Sequence, residues 1–586
     1  MSDHGHAEPT TFLRKWVFSV DHKVIGIQYL ITSFLFLLVG FGMMLLMRYQ
    51  LAMPVPGDDF DPENLGMVRG MVAWLFGENL MPYGYMSPEF YNQLGAMHGT
   101  IMIFLGVVPL GVAAFGNYVL PLQIGADDMA FPRLNMMSYW VYLVGGIVMM
   151  SAFLAPGGAA QSGWTSYPPL SVVAPPGQTI WLIAMILIIT SSLFGAINFI
   201  VTTLNMRAKG MTLGRMSIFC WSQLVCAVLL LLAFPVLEAG AVLQLLDRVA
   251  GTSFYIPKDM MYGATVFPAA GGGNPLLWQH LFWFLAHPEV YVLLLPAMGI
   301  VFEIFAANTR KPPFGYKEAV GSMILIGALS FVVWAHHMFV SGMRTSLANL
   351  FVTTTMTISV PSVAILTCML LSLRGAQIRF NTPMLFALAF VPMFGIGGLT
   401  GLPLGFAPTD LYLHDTYYVI GHFHYVVAPG SLIALLGATY FWFPKMFGRM
   451  MNEKLGKIHF WMTVIPMNFV FFPMLFQGMW GMQRRLSDPT LQWHNLPVQG
   501  WNYVISAAAV VLLIGQLPFI FNFFNSIWNG KEAGDNPWEA TTLEWACPSP
   551  PPHGNFEHPP EVYRGPYEYS VPGRDKDFWP QDDDGA

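Results

Sequence analysis

Residues 413–440 read LHDTYYVIGHFHYVVAPGSLIALLGATY, and how this run is understood decides the fold. A helix of about 20 mostly apolar residues crosses the hydrocarbon core of a bilayer, and this run is long and apolar enough to do so. Two histidines, His422 and His424, stand inside it. An ionisable side chain at membrane depth is costly and marks a functional site. Helical neighbours differ by about 100°, so residues two apart point about 200° apart. The two imidazoles therefore face opposite sides of one helix. They are badly placed to share one metal ion and well placed to hold two large cofactors, one on either side.

Eleven further runs have the same character: 24–47, 97–120, 138–157, 177–200, 217–243, 278–305, 318–340, 350–373, 383–402, 459–481 and 502–526. Twelve spans predict an all-α, polytopic membrane protein with a core over 24–526. Composition agrees. The chain is 55% hydrophobic and only 10% charged, whereas a soluble protein carries about 25% charge. A net charge of -6 with no basic run excludes nucleic-acid binding. Cys220, Cys226, Cys368 and Cys547 are scattered without a CxxC, so neither a disulfide framework nor a thiolate metal site is indicated. Residues 1–23 are polar and lead directly into the first run, which predicts no cleavable signal peptide. Residues 527–586 are rich in Pro, Asp and Glu and are expected to form an extension outside the membrane.

Cationic residues sort by side. Twelve spans place both termini together, and twenty of the 27 Lys and Arg then fall on that side. The excess of positive charge marks the cytoplasmic face, so both the 1–23 segment and the 527–586 tail are expected there.

Four more histidines occupy telling positions: His98 (AMHGT), His287 (LAHPEVY), and His336 with His337 (WAHHMF). Adjacent residues differ by about 100° on a helix, so the two rings of the pair can converge on one ion. His287, on another span, completes a three-imidazole set. Imidazole without thiolate suits copper, iron or zinc. His98 can supply the second axial ligand to one of the two cofactors beside His422 and His424. An iron porphyrin with two His ligands is closed and transfers electrons; one with a single His keeps an open position for substrate.

With these motifs the chain resembles the catalytic subunit (subunit I) of the heme-copper oxygen reductases, the cytochrome c oxidase group, over residues 15–545. The resemblance is carried by AMHGTIMIF, FGNYVLPLQIGADDMAFPRLN, GWTSYPPL, LFWFLAHPEVYVLLLP, WAHHMFVSGM, GGLTG, LHDTYYVIGHFHYV and GMQRR. It implies that His98 and His424 ligate a low-spin heme, that His422 ligates a high-spin heme, and that His287, His336 and His337 bind copper B. The hemes are expected to be heme A. Tyr291, four residues after His287 on the same face, would be the tyrosine that this family cross-links to the histidine and uses as donor of an electron and a proton to O2. Arg48 resembles the arginine that hydrogen-bonds the low-spin heme's formyl group. Arg484 and Arg485 resemble the pair that binds heme propionates, and His414 with Asp415 resembles ligands of a magnesium ion shared with another subunit. Trp164 is read as packing.

The same resemblance implies a proton route from Asp128 to Glu289 by way of Asn117, Asn135, Ser191, Ser192 and Asn198. The alignment of DMAFPR favours Asp128 over Asp127 as its entrance. A second family route departs from pattern. Its lysine would lie four residues after Val360-Pro361, where Ile365 stands, and no Lys occurs in 318–444. Thr353, Thr354, Thr355, Thr357, Ser359 and Ser362 remain there, either as water carriers or as partners of backbone carbonyls. Protons are therefore expected to enter by the Asp128 route alone or with another residue substituting for the lysine.

Quinol-oxidising members carry Arg and Asp where this chain has Val39 and Met43, which favours cytochrome c as donor. Electrons would then enter from a binuclear copper centre in subunit II, with subunit III and possibly others completing a complex in a bacterial plasma membrane. A quinol oxidase, a nitric oxide reductase, which generally lacks the His-Pro-Glu-Val-Tyr pattern, and a cofactor-free transporter are the alternatives.

Overall fold

The computed structural model describes residues 11–54, 66–262, 265–266, 271–489 and 498–585; residues 1–10 of the expected N-terminal segment lie outside them. Twelve helices form the bundle: α1 (His22–Ala52), α2 (Pro88–Ile124), α3 (Pro132–Leu154), α4 (Gly177–Asn205), α5 (Ile218–Val249), α6 (Pro275–Thr309), α7 (Tyr316–Ser330), α8 (Thr345–Leu373), α9 (Thr382–Leu404), α10 (Tyr417–Phe447), α11 (Glu453–Met479) and α12 (Val498–Asn529). Eleven of them, all but α7, are long and apolar enough to cross a membrane. The protein is therefore a multi-pass membrane protein.

α7 is shorter than its sequence suggests. The apolar run 318–340 stays α-helical only to Ser330, and a tighter 3₁₀ turn over Trp334–Met338 carries His336 and His337. A 3₁₀ helix has about three residues per turn, so these neighbours splay by about 120° rather than 100°. Their ring centroids remain 4.3 Å apart, with planes at 49°.

α6 is the central helix, with most side chains from Leu285 to Thr309 buried. α1, α8 and α12 turn large apolar side chains outward, among them Leu35, Val363 and Phe521, as lipid contact requires. Two helices change winding near their histidines. α2 is π-wound over Ile101–Val107 and Pro109–Ala114, and α10 over Val427–Leu432; the first stretch of α2 and that of α10 begin three residues after His98 and His424. Pro109 and Pro429 lie in these stretches and lack an N–H for the regular ladder. α2 stops at Gly125, whose φ of +73° suits glycine; a Cβ there would lie 2.6 Å from the Ala208 Cβ.

The 530–585 segment packs as a cap on one end of the bundle. Leu543, Trp545, Val562, Tyr567 and Tyr569 are buried. Glu544 accepts from Gln123 at the end of α2 (2.8 Å), and Tyr567 bonds Glu303 near the end of α6. Asn555 accepts from His22 and Lys23 at the start of α1 (3.0 and 2.8 Å) and donates to the Ala126 carbonyl (2.7 Å). Odd helices thus begin, and even helices end, on the face that carries the C-terminal segment.

Asp21 caps α1 by accepting from the Lys23 amide (2.8 Å) and pairs with the Lys23 ammonium (3.0 Å). Burial raises its pKa, but His22 and Lys23 outweigh it and hold the carboxyl at about 2. The folded state therefore binds this proton more weakly than the unfolded chain. The resulting stability, about 2 kcal/mol, is present above about pH 4 and is lost as pH falls through 2. Asp21→Asn should lower the thermal midpoint of the solubilised protein at neutral pH and flatten its fall between about pH 4 and 2.

Candidate functional site

Three imidazoles meet inside the bundle. The ligand atoms of His287 on α6 and of His336 and His337 on the 3₁₀ turn all lie within 4.8 Å of one another. His287 Nδ1 and His336 Nε2 lie 3.3 and 3.1 Å from His337 Nε2. His337 stacks on Trp283, with centroids 3.7 Å apart, and the Trp283 indole donates to the Tyr167 hydroxyl. His336 Nδ1 is 3.0 Å from Thr355 Oγ1. Nitrogens this close in an apolar interior, with lone pairs converging, are the donor set of one borderline cation. Among the described residues this is the one His, Cys, Asp and Glu group with metal-site spacing.

Tyr291 lies one turn further along α6, its ring centroid 5.1 Å from that of His287. His287 Nε2, turned away from the cluster, is buried without a hydrogen-bond partner.

The other three histidines share one design. His98 Nδ1–H donates to the Gly40 carbonyl (2.8 Å), His424 Nδ1–H to that of Ile420 (2.8 Å), and His422 Nδ1–H to that of Gly397 (2.9 Å). Each bond fixes the tautomer and leaves Nε2 as a free lone pair, the arrangement that orients a metal ligand. His98 and His424 face each other with ring planes 11° apart and centroids 6.5 Å apart. Two imidazoles bound to one iron from opposite sides, each through a bond of about 2 Å, need this separation. His422 points to the other side of α10, against Gly401, where a Cβ would lie 2.8 Å from its Cε1.

Arginines sit at the end of this space away from the C-terminal segment, near the ends of α1 and α11. Arg48 is buried and donates to Ser506 Oγ (3.2 Å) and to the carbonyl and side chain of Asn502 (3.1 Å each), while its Nη1 has no hydrogen-bond partner among the described residues. The loop before α10 pairs with the loop after α11: Tyr417 N donates to the Met482 carbonyl and Arg484 N to the Asp415 carbonyl. That pairing gathers His414, Asp415, Arg484 and Arg485. Arg484 Nε lies 3.2 Å from Asp415, and His414 Nε2 lies 3.7 Å from it. Arg485 Nη2 donates to Thr165 Oγ1 (3.4 Å). Trp164, next in chain, packs edge-on against Phe282 and Trp283.

Several residues of the expected proton route share a feature. Asp127 is exposed, while Asp128 is half-buried and accepts from its neighbour Met129 N (2.7 Å). Burial pushes the Asp128 carboxyl above its ordinary value. Beyond it, Asn117 Oδ1, both side-chain polar atoms of Asn135 and Glu289 Oε1 are buried with no partner among the described residues. A cavity of about 30 Å³ lies among Tyr29, Asn117, Ser138, Ser191 and Ser192; one water needs roughly 10–15 Å³. Asn198 serves differently: it holds the 126–131 turn by bonding both backbone groups of Phe131.

On α8, Ile365 is fully buried. The hydroxyls of Thr353, Thr354, Thr357, Ser359 and Ser362 all donate to carbonyls three or four residues back, and Thr355 alone bonds a site residue, His336. Sequence reasoning did not single out the carbonyls of Gly40, Gly397 and Ile420 or the Trp283 stack. Nothing local marks the Gly40 and Gly397 carbonyls, 58 and 25 positions from their histidines, as partners, whereas the Ile420 carbonyl lies one turn before His424 on the same helix.

The three-imidazole cluster predicts one bound first-row metal ion. His337→Ala should lower metal content at this site by about 10–100-fold, measured by elemental analysis of the purified protein.

Comparison with known proteins agrees. The family model for Cytochrome C and Quinol oxidase polypeptide I matches residues 24–511. The chain is 44% identical to cytochrome c oxidase subunit 1 of Synechocystis sp., over 95% of this chain and 94% of that one. It is 42% identical to the alternative cytochrome c oxidase subunit 1 of Bradyrhizobium diazoefficiens (98% and 94%) and 41% identical to cytochrome c oxidase subunit 1 of Cereibacter sphaeroides (95% and 97%). A solved heme-copper terminal oxidase dimer shares the fold, with a TM-score of 0.68 at 18% identity over 87% of this chain and 84% of that one. The chain therefore belongs to the cytochrome c and quinol oxidase polypeptide I family, and is the catalytic subunit of a heme- and copper-dependent terminal oxidase that works within a complex.

Proposed function

We propose that this subunit takes electrons from cytochrome c and reduces O2 to water, with protons drawn from the cytoplasm and charge moved across the membrane. The observation that carries the reading is the meeting of two differently built histidine sets: a three-imidazole cluster, and beside it imidazoles whose Nε2 lone pairs are freed by carbonyls. When bound, two hemes and copper B supply electron transfer and O2 reduction.

The chain's own residues have these roles. His98 and His424 hold the low-spin heme iron, His422 holds the high-spin heme iron, and His287, His336 and His337 hold copper B. The free Arg48 Nη1 donor suits a carbonyl substituent on the low-spin heme, which favours heme A. Arg484 and Arg485 offer guanidinium forks to propionates. His414 and Asp415 contribute to a magnesium site completed by another subunit. Tyr291, one turn from His287, holds a phenolic proton for delivery to oxygen together with an electron.

Protons enter at Asp128 and pass by water held among Asn117, Asn135, Ser191 and Ser192 to Glu289. The buried amides without protein partners support this, because an unpaired polar group in the membrane interior is costly unless water meets it. The hydroxyls of α8 are mostly spent on their own helix, which supports the Asp128 route as the sole entry. Moving each charge against 100 mV costs about 2.3 kcal/mol, and a gating role for Glu289 is supported by its burial on α6, two residues after His287. Twenty of 27 cationic residues on the capped face support cytoplasmic termini in a bacterial plasma membrane. Apolar Val39 and Met43 favour cytochrome c over quinol, with entry through a subunit II binuclear copper centre and subunit III alongside.

Three measurements test this. A pyridine hemochrome with metal analysis should give two hemes A and one copper in this chain. The purified complex should oxidise reduced cytochrome c and leave ubiquinol untouched; the reverse would make it a quinol oxidase. Asp128→Asn should abolish oxygen uptake while leaving the heme spectrum intact, and substantial remaining uptake would sink the single-route reading.

A further inference from the structure

Glu238 has no part in the site or the proton route. It lies on α5, 20 residues from Ile218 and 11 from Val249, roughly 30 and 17 Å along the axis. Its hydrogen-bond partner, Thr190 Oγ1 at 2.6 Å, falls near the midpoint of α4. Both helices exceed the hydrocarbon thickness of about 30 Å, so the carboxyl stands near mid-membrane.

Its surroundings do not satisfy it. The Thr190 hydroxyl also lies 2.8 Å from the Ile186 carbonyl, and its single proton serves only one of them. Among the described residues no Lys, Arg or His forms an ion pair with Glu238. Asp247, two turns on, is met instead by Thr252 Oγ1 and the Phe254 and Tyr255 amides. Glu238 is also only half-buried, on the outside of the bundle. Around it the outer face is apolar and exposed: Leu231, Leu232 and Val242 on α5, Ile183 and Ile197 on α4. Lipid tails offer this carboxyl neither donor nor charge.

We propose that Glu238 anchors a transmembrane helix of a partner subunit that brings a basic side chain, Lys, Arg or His, to the α4–α5 face. Charge complementarity selects the occupant: Lys, Arg or His offers a carboxyl at mid-membrane both a donor and an opposite charge, and the described residues of this chain supply none. The inference rests on the family's assembly into a multi-subunit complex, and heme content with oxygen uptake tests the oxidase reading separately.

The test is to purify the complex through a tag on this chain from Glu238→Gln and Glu238→Ala strains and to quantify co-purifying membrane subunits by mass spectrometry. One membrane subunit should fall by about fivefold or more in both variants, with the heme spectrum of this chain unchanged, because Gln keeps the hydrogen bond and loses the charge. Native stoichiometry in Glu238→Gln would overturn the basic contact, and native stoichiometry in both variants would overturn the contact altogether. Should both variants fail to accumulate, a photo-cross-linking residue at Leu232 of an otherwise native complex replaces them. An adduct with a partner's helix is expected, and adducts confined to lipid would overturn the proposal.

Discussion

An imidazole in a dry helical bundle must have something on each nitrogen, and much of this molecule follows from that. His98, His422 and His424 each commit Nδ1–H to a carbonyl, of Gly40, Gly397 and Ile420. A carbonyl already in a helix ladder has a second lone pair, so the bond needs no broken helix. It does need the carbonyl's helix at a set distance. The His98 bond thereby ties α2 to α1 and the His422 bond ties α10 to α9, while His424 bonds the carbonyl one turn back in its own helix, and each Nε2 is left free for a metal ion. The π-wound stretches after His98 and His424 lie where winding must adjust to meet that demand.

The copper-type cluster obeys the same rule in another form. His287, His336 and His337 point nitrogens at one another, and Trp283 and Thr355 fix two of the three rings. A helix that continued through residue 340 would have kept His336 and His337 about 100° apart; the 3₁₀ turn splays them somewhat further, and their rings still meet with centroids 4.3 Å apart. Proton supply reuses the cost of burial in the opposite sense. Asn117, Asn135 and Glu289 keep polar atoms without protein partners, which is tolerable where water enters and not elsewhere. α8 shows the contrast, since most of its hydroxyls return to their own backbone and Ile365 is buried among them.

The C-terminal segment adds a constraint at the membrane's edge. Asn555 accepts from two cationic or ring donors of α1 and donates to the turn just before Asp128. Residues more than 400 positions apart thus shape the turn before Asp128, the proposed proton entrance. Composition alone suggests only a polar extension there, because Pro, Asp and Glu say nothing of Trp545 or Tyr567 finding a buried place.

The sequence by itself determined the class of molecule: apolar runs fix the spans because a bilayer admits only helices of that length, and charge bias predicts their direction. It also nominated the six histidines, since ionisable groups at that depth are too costly to be incidental, and it placed His422 and His424 on opposite faces by helical geometry alone. Tertiary structure decided what no local pattern encodes: which carbonyl meets each ring, how near His98 comes to His424, where α7 gives way to the 3₁₀ turn, and that Glu238 faces outward. Those depend on distances between helices far apart in the chain, set by packing across the whole bundle rather than by the residues on either side.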